Sequence, residues 1–302
     1  MKLTILDYFL YKISKKVVTV NKKLHNKIGC DSPGSEEYAK KYALNQFNIC
    51  VENGIKVPVL GKDVLEIGCG HGGITCYLSA AGAKSVCGID INEENLKYSD
   101  AIMQEVFKES VENVKKRTKF EIIDASNTQK KGESFDIVFA LNSFEHFDDP
   151  SAVMKESYRL LKKDGKMIVH PFSSIYSRYG AHIKYGVTIP WVNLFFTDKV
   201  IIRALLRAAK DDDNIYQIYP GLLNNPKTIR DIRKYKDLND ITFVKFKKMA
   251  LNCGFVIEYF HPITGGGIFG YIGKVINKIP LLKNTIFMDI FSYSASAILV
   301  KR

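Results

Sequence analysis

No apolar run in these 302 residues reaches the length of a membrane-spanning helix. The N-terminus also lacks the compact apolar stretch and small-residue cleavage site of a secretory signal peptide. The expected location is the cytoplasm. Cysteine is sparse and scattered: Cys30, Cys50, Cys69, Cys76, Cys87 and Cys253 have neither the spacing of a metal site nor the density of a disulfide scaffold. They read as reduced, small apolar fillers. No internal repeat and no low-complexity tract is present. Acid is in short supply, with 32 Asp and Glu against 44 Lys and Arg, and the net charge of +12 permits an anionic partner such as RNA, a phospholipid surface or a phosphorylated substrate.

What is present is 46% hydrophobic content, enough for one substantial core with a sizeable insertion. Residues 1–27 hold seven lysines against one acid, Asp7, and set Leu3, Leu6, Leu10, Ile13 and Val17 at helical spacing. A basic amphipathic helix of this kind either lies on a membrane surface or packs its stripe over the core.

Residues 64–73, Val-Leu-Glu-Ile-Gly-Cys-Gly-His-Gly-Gly, read as a buried strand running into a glycine-rich turn that holds a nucleotide. Gly68, Gly70 and Gly73 also satisfy the dinucleotide pattern G-x-G-x-x-G, with Asp90 about twenty residues downstream. The glycines alone leave both readings open. Glu66 decides between them, because a carboxylate beside the turn suits a cationic ligand and opposes a pyrophosphate seated on helix N–H groups. S-adenosylmethionine carries an ammonium and a sulfonium and no phosphate; an NAD-dependent oxidoreductase is the competing reading.

From about residue 60, short apolar strands alternate with longer amphipathic stretches, the signature of an α/β sheet covered on both faces. Strands are expected at 63–68, 85–90, 119–124, 135–140, 166–170, 255–260 and within 292–300. Helices are expected at 73–82, 93–116 and 151–162, the last stopped by Gly165 as a left-handed terminator. Asn92 is the expected cap of the second of these. Another helix near 197–210 is capped by Thr197 or Asp198, and one holding Phe243, Phe246 and Met249 stops at Cys253-Gly254. The divisions are a basic helical arm over 1–58, a nucleotide-binding core over 59–170, an inserted cap over 171–240 and a return to the sheet over 241–302.

E-x-G-x-G-x-G, as Glu66, Gly68, Gly70 and Gly72, resembles the first motif of class I S-adenosylmethionine-dependent methyltransferases. The segment Glu145-His146-Phe147-Asp148-Asp149-Pro150 resembles the E-H-x-x-D-P signature of the small-molecule members related to quinone-modifying enzymes. The resemblance implies a doubly wound, seven-stranded, mostly parallel Rossmann-like sheet of order 3-2-1-4-5-7-6, with the seventh strand antiparallel and a cap inserted after strand five. It implies that Glu66, Gly68, Cys69, Gly70 and Gly72 hold the cofactor and that Asp90, with Ile91, takes the ribose hydroxyls. It further places Asp124 and Ala125 at the adenine, and Leu141 and Asn142 at the methionine end. S-adenosyl-L-homocysteine is the product. Some relatives bind a divalent metal through an acid three residues before the Glu-His pair; here that residue is Asn142, so no metal is expected.

His146, His170 and His182 are the candidate general bases, since histidine removes a hydroxyl proton near neutral pH. Tyr176, Tyr179 and Trp191 are the candidate substrate contacts, with Tyr185 beside them. No Asn-Pro-Pro-Tyr motif of base-modifying amino methyltransferases is present, so oxygen is the expected acceptor atom. The resemblance points to a sugar, glycan precursor or other small metabolite. A polyprenyl or quinone lipid is the alternative, given the basic arm and the apolar Ile263–Ile290 segment. RNA explains the charge, but no stacking motif supports it and nucleic acid is not the expected partner.

Overall fold

The computed structural model describes residues 5–14, 40, 41, 43, 44, 58–108, 111–183, 186, 187, 189–212, 215, 232 and 238–302. Its elements in chain order are a helix over residues 5–14, β1 (Asp63–Ile67), α1 (Gly73–Ala80), β2 (Ser85–Asp90), α2 (Glu93–Leu96), α3 (Ser99–Phe107), α4 (Val111–Lys115), β3 (Thr118–Ile122) and β4 (Phe135–Ala140). Then follow α5 (Pro150–Leu160), β5 (Leu161–Phe172), α6 (Val192–Phe195), α7 (Asp198–Ala208), α8 (Phe243–Asn252), β6 (Phe255–Ile263), α9 (Gly267–Lys278), α10 (Ile286–Ile290) and β7 (Ser294–Lys301).

The seven strands form one sheet of order β3-β2-β1-β4-β5-β7-β6, as expected. β1, β2, β3, β4 and β5 pair in parallel, and β7 runs antiparallel to β5. Side chains alternate across a strand, so a sheet covered on both faces needs apolar residues at successive positions. Val64, Val86, Ile137, Phe139 and Ile168 pack with Ile74 and Leu78 of α1 on one face. Their strand neighbours Leu65, Cys87, Ile89, Val138, Met167 and Val169 are buried as well. Each such side chain contributes about 2 kcal/mol on leaving water.

Beyond the ends of β4 and β5, Phe172 stacks on Phe246 with ring centroids 4.4 Å apart, and Phe144 meets Phe246 edge-on at 5.1 Å. These rings tie the turn after β4 to β5 and α8. Asn92 caps α2 by accepting from the Glu94 N–H, and Asp149 caps α5 by accepting from Ser151 and Ala152, with Pro150 opening the helix. Gly254, at φ 91°, follows α8 as expected.

Two expectations are corrected and a third, the Thr197 cap, is met in position only. The single helix over 93–116 is three helices, because Tyr98 leaves helical dihedrals (φ −108°, ψ 5°) and Lys108 turns left-handed (φ 47°). Gly165 does not terminate α5; that helix ends at Leu160, and Asp164 is the left-handed residue (φ 59°). Thr197 stands at the cap of α7 without a side-chain capping bond, and Asp198 instead accepts the Ile232 N–H at 2.9 Å.

The chain forms two compact units: Gly34–Phe172, Val244–His261 and Ala295–Arg302 build the sheet, while Met1–Pro33, Ser173–Phe243 and Pro262–Ser294 build the other. In the second unit α7 buries Ile201, Ile202, Ala204 and Leu205 against Leu10, Ala181, Ile183 and Val187. The helix over 5–14 turns Asp7, Leu10 and Ser14 inward, so of the expected stripe only Leu10 is fully buried, with Leu6 exposed and Ile13 half-buried. The cause is polar: fully buried Asp7 accepts from Arg207 Nε at 2.7 Å, and the Tyr11 hydroxyl donates to Asp211. Ile5, Leu6, Tyr8 and Phe9 are left exposed; Leu3 and Val17 lie outside the described residues. No helix among the described residues is long and apolar enough to cross a membrane.

Candidate active site

The carboxyl ends of β1, β2 and β4 converge where a parallel sheet places its ligands. β1 feeds the glycine turn, in which Gly68, Gly70 and Gly72 take φ of 67°, 53° and 82°. At Gly68 a second constraint is added: a Cβ there would lie 2.6 Å from the Ser143 Cβ. Ser143 fixes that approach by donating its hydroxyl to the Ile67 carbonyl at 3.0 Å. Gly70 differs, since a Cβ on it would meet nothing within 4 Å, so its backbone borders open space. The Gly70 N–H is drawn toward β2, donating to Asp90 Oδ2 at 2.9 Å.

Asp90 thereby holds the turn. Its Oδ1 accepts from the Asn92 N–H at 2.9 Å and from Asn95 Nδ2 at 3.2 Å. An ionised carboxylate offers about four acceptor sites, and these three donors leave one on Oδ2. His71 completes the ring of contacts, its Nδ1 lying 2.8 Å from the Asn95 carbonyl oxygen. Cys69 is buried and its N–H donates to the Ile89 carbonyl at 3.0 Å, whereas Ile91 is 71% exposed.

Glu66 is the electrostatic centre. It is 1% exposed, and Thr75 of α1 donates its hydroxyl to Oε2 at 2.5 Å. Burial pushes its pKa up to about 8; the Thr75 bond opposes this and the nearby Asp90 charge adds to it. Glu66 in turn raises the thiol pKa values of Cys69 and Cys76, already raised by burial. A neighbouring cation favours the ionised form of a buried acid poised in this way.

Residues 65–169 match the protein family described as methyltransferase domain. This segment is a methyltransferase domain. A ubiquinone biosynthesis O-methyltransferase of Pseudomonas entomophila (strain L48) is 36% identical over 120 residues, 40% of this chain and 47% of its own length. The mitochondrial ubiquinone biosynthesis O-methyltransferase of Dictyostelium discoideum is 27% identical over 199 residues, 62% of each chain. The chain spans about half the length of the first of these. Among solved structures, an S-adenosylmethionine-dependent methyltransferase from Mesorhizobium loti is 14% identical with a TM-score of 0.49, covering 85% of this chain and 98% of that one.

Within the methyltransferase domain, Asp124 is exposed and accepts from the Ser126 N–H at 2.8 Å, ordering the turn that carries buried Ala125. The Ile123 N–H donates to the Asp90 carbonyl at 3.0 Å, which joins this turn to β2. Leu141 and Asn142 follow β4. Asn142 has φ 50°, a sparsely populated conformation for any residue but glycine, and its N–H donates to the Pro171 carbonyl at 3.0 Å. His146 closes the one-turn helix Phe144–His146 by donating its N–H to the Ser143 carbonyl.

His170 is a correction. It does not follow the strand but lies inside it, because β5 runs on to Phe172, and its Nδ1 is 2.7 Å from the Ser296 hydroxyl of β7. The β5–β7 register shifts between Val169 and Phe172, which fits a bulge at this point. Burial lowers the His170 pKa, favouring the neutral ring.

The remaining candidates belong to the second unit. Tyr179 stacks on Tyr293 with centroids 5.8 Å apart. Trp191 donates its indole N–H to the Ile290 carbonyl at 2.7 Å and meets Phe269 edge-on at 4.9 Å. These contacts pack both half-buried rings against neighbouring aromatics and backbone. Tyr176 instead lines a cavity of about 380 Å³ with Ile175, Ala181, Leu194 and Phe195. His182 is left-handed, at φ 53°, and Tyr185 lies outside the described residues. Sequence reasoning missed Thr75, His71, Asn95 and Ser143.

Proposed function

We propose that the chain is an S-adenosylmethionine-dependent O-methyltransferase whose acceptor is a phenolic hydroxyl on an apolar, quinone-type ring. The observation that carries the donor half is Glu66 buried beside a glycine turn tied to Asp90. The residues present fit the cofactor: Gly70 borders open space, Asp90 keeps one acceptor site, and Glu66 is a carboxyl whose ionisation a cation favours. Bound there, S-adenosylmethionine supplies an electrophilic methyl group.

The protein's part is positioning, which for an in-line displacement provides much of the acceleration. Glu66 holds the ammonium side, Asp90 orients the ribose, and Asp124 and Ala125 border the adenine. Leu141 and Asn142 flank the methionine end. A phenol needs less help from a base than an alcohol does, and His146, in the one-turn helix after β4, is the histidine offered to take its proton.

The acceptor half is supported by the names of the relatives, which favour the quinone alternative over the sugar or glycan precursor expected at first. We place the enzyme in the cytoplasm, working at a membrane surface, with the exposed Ile5, Leu6 and Phe9 of the N-terminal helix as one contact.

Incubation with methyl-labelled S-adenosylmethionine and fractionated cell extract tests this reading. Label is expected in the organic lipid phase as an alkali-stable ether. Label confined to aqueous glycans or to RNA, or no transfer to any fraction, overturns it.

A further inference from the structure

α9 inverts the usual arrangement of a surface helix, in which large apolar residues face the core. Two of its three buried positions are glycine, with Ile276 the third: a Cβ on Gly270 would lie 2.3 Å from the Gly265 carbonyl oxygen, and one on Gly273 would lie 2.5 Å from that of Phe291. The helix therefore packs backbone against backbone. Its bulk points outward instead, with Ile268 at 69%, Tyr271 at 67%, Val275 at 40% and Ile279 at 37% relative exposure. Ile268, Tyr271 and Val275 follow one another at helical spacing and make a single stripe, with Ile279 exposed just past the helix end. Leu281, in the turn that follows, is 85% exposed, and Ile286 and Phe287 of α10 are 45% and 48% exposed.

The charge on this segment has one sign. From Ile263 to Met288 the chain carries Lys274, Lys278 and Lys283 and no acid, and all three lysines are exposed. Asp289, the next acid, is fully buried and accepts the Phe243 N–H at 2.8 Å.

We propose that the segment from Ile268 to Phe287 is a docking surface for an anionic lipid bilayer. The apolar stripe enters the acyl boundary with Tyr271 and Phe287 at headgroup level, while the lysines reach up their own stems to lipid phosphates. Charge selects this occupant over a second copy of the chain, since a two-fold pairing of the face on itself brings six lysines together without a counter-charge. The proposal does not depend on which acceptor is methylated.

Co-sedimentation of the full chain with vesicles tests it, using phosphatidylcholine alone and phosphatidylcholine mixed with phosphatidylglycerol. The protein is expected to pellet with the mixed vesicles and to be released by salt. Ile268→Ser, Tyr271→Ser and Val275→Ser combined are expected to lower the partition coefficient about tenfold or more. Lys274→Gln, Lys278→Gln and Lys283→Gln combined are expected to remove the preference for the anionic lipid. Should the serine variant misfold by circular dichroism, Tyr271→Trp provides a second readout, a blue shift of its added emission on mixed vesicles. Failure to pellet with either vesicle overturns the proposal, as does pelleting that the serine substitutions leave unchanged. Tyr271→Trp emission that mixed vesicles leave unshifted, or a concentration-dependent dimer that the serine substitutions dissolve, also overturns it.

Discussion

Glu66→Gln is expected to bind S-adenosylmethionine about 30-fold more weakly at pH 8, a loss of about 2 kcal/mol, through removal of one charge-assisted contact. The same change is expected to make the cofactor-free protein more stable. Burial lifts the folded pKa of Glu66 to about 8 from the ordinary 4.5 of a glutamate, and its carboxyl is fully buried. Below pH 4.5 both the folded and unfolded states hold the proton, and the group exerts no penalty. As pH rises from there the unfolded chain releases its proton and the folded one keeps it, so stability falls until the folded group itself ionises near pH 8. Glutamine accepts the same Thr75 hydroxyl without that penalty, and a gain of up to about 4 kcal/mol at pH 8, less the cost of burying the glutamine NH2, is expected. Denaturant midpoints at pH 5 and pH 8 check it: the variant's advantage is to be large at the higher pH and small at the lower. A variant destabilised at both sinks the assignment of a buried, reluctantly ionised acid.

Gly68→Ala is expected to cost about 3 kcal/mol in stability, because two penalties fall on one residue. The backbone stands at φ 67°, and the new Cβ would lie 2.6 Å from the Ser143 Cβ. Gly61 separates the two terms, having φ 70° with nothing within 4 Å of a Cβ, so Gly61→Ala is expected to cost only about 1 kcal/mol. Adding Ser143→Gly to Gly68→Ala is expected to recover part of the difference. Equal losses for Gly61→Ala and Gly68→Ala, by chemical denaturation, contradict a tight approach between the turns after β1 and β4.

The sheet was legible because its strands are buried on both faces: Val64-Leu65 and Ile137-Val138-Phe139 are apolar at successive positions, a pattern that helices of a surface layer do not show. Asp90 was legible for a local reason, since strand, acid and the capping Asn92 are contiguous. The rest of the site was not. Thr75 reaches Glu66 across nine residues and Ser143 reaches Ile67 across 76, contacts that exist only once the sheet has formed. The Asp90–Asn95 bond is local but not legible, because nothing in the residue types says that Asn95 of α2 turns its amide inward, and the His71 contact is to the Asn95 backbone carbonyl, which sequence does not mark.

The corrected elements have a common origin. Charge periodicity over 93–116 reports which face is wet, not where Lys108 leaves helical dihedrals. A glycine at 165 invites a left-handed turn that Asp164 takes instead, while Gly165 is held by a close approach, its Cβ position lying 2.8 Å from the Lys162 carbonyl oxygen. His170 looked like a strand end because Pro171 follows it. In the structure the strand passes the proline with a register shift against β7, where a missing N–H is tolerated.

The central claim is that a buried acid at the end of β1 makes this a site for a positively charged methyl donor. Calorimetric titration with S-adenosylmethionine, from pH 6 to 9 and in two buffers of different ionisation enthalpy, tests it most directly. His71 in the same loop is retained in Glu66→Gln, so a pH slope lost in that variant belongs to Glu66. Affinity is expected to rise about 20- to 30-fold from pH 6 to pH 8 and then level off, with most of one proton released per ligand bound at pH 7. Affinity that is flat with pH, or tight binding of a nicotinamide dinucleotide with S-adenosylhomocysteine ignored, contradicts the account.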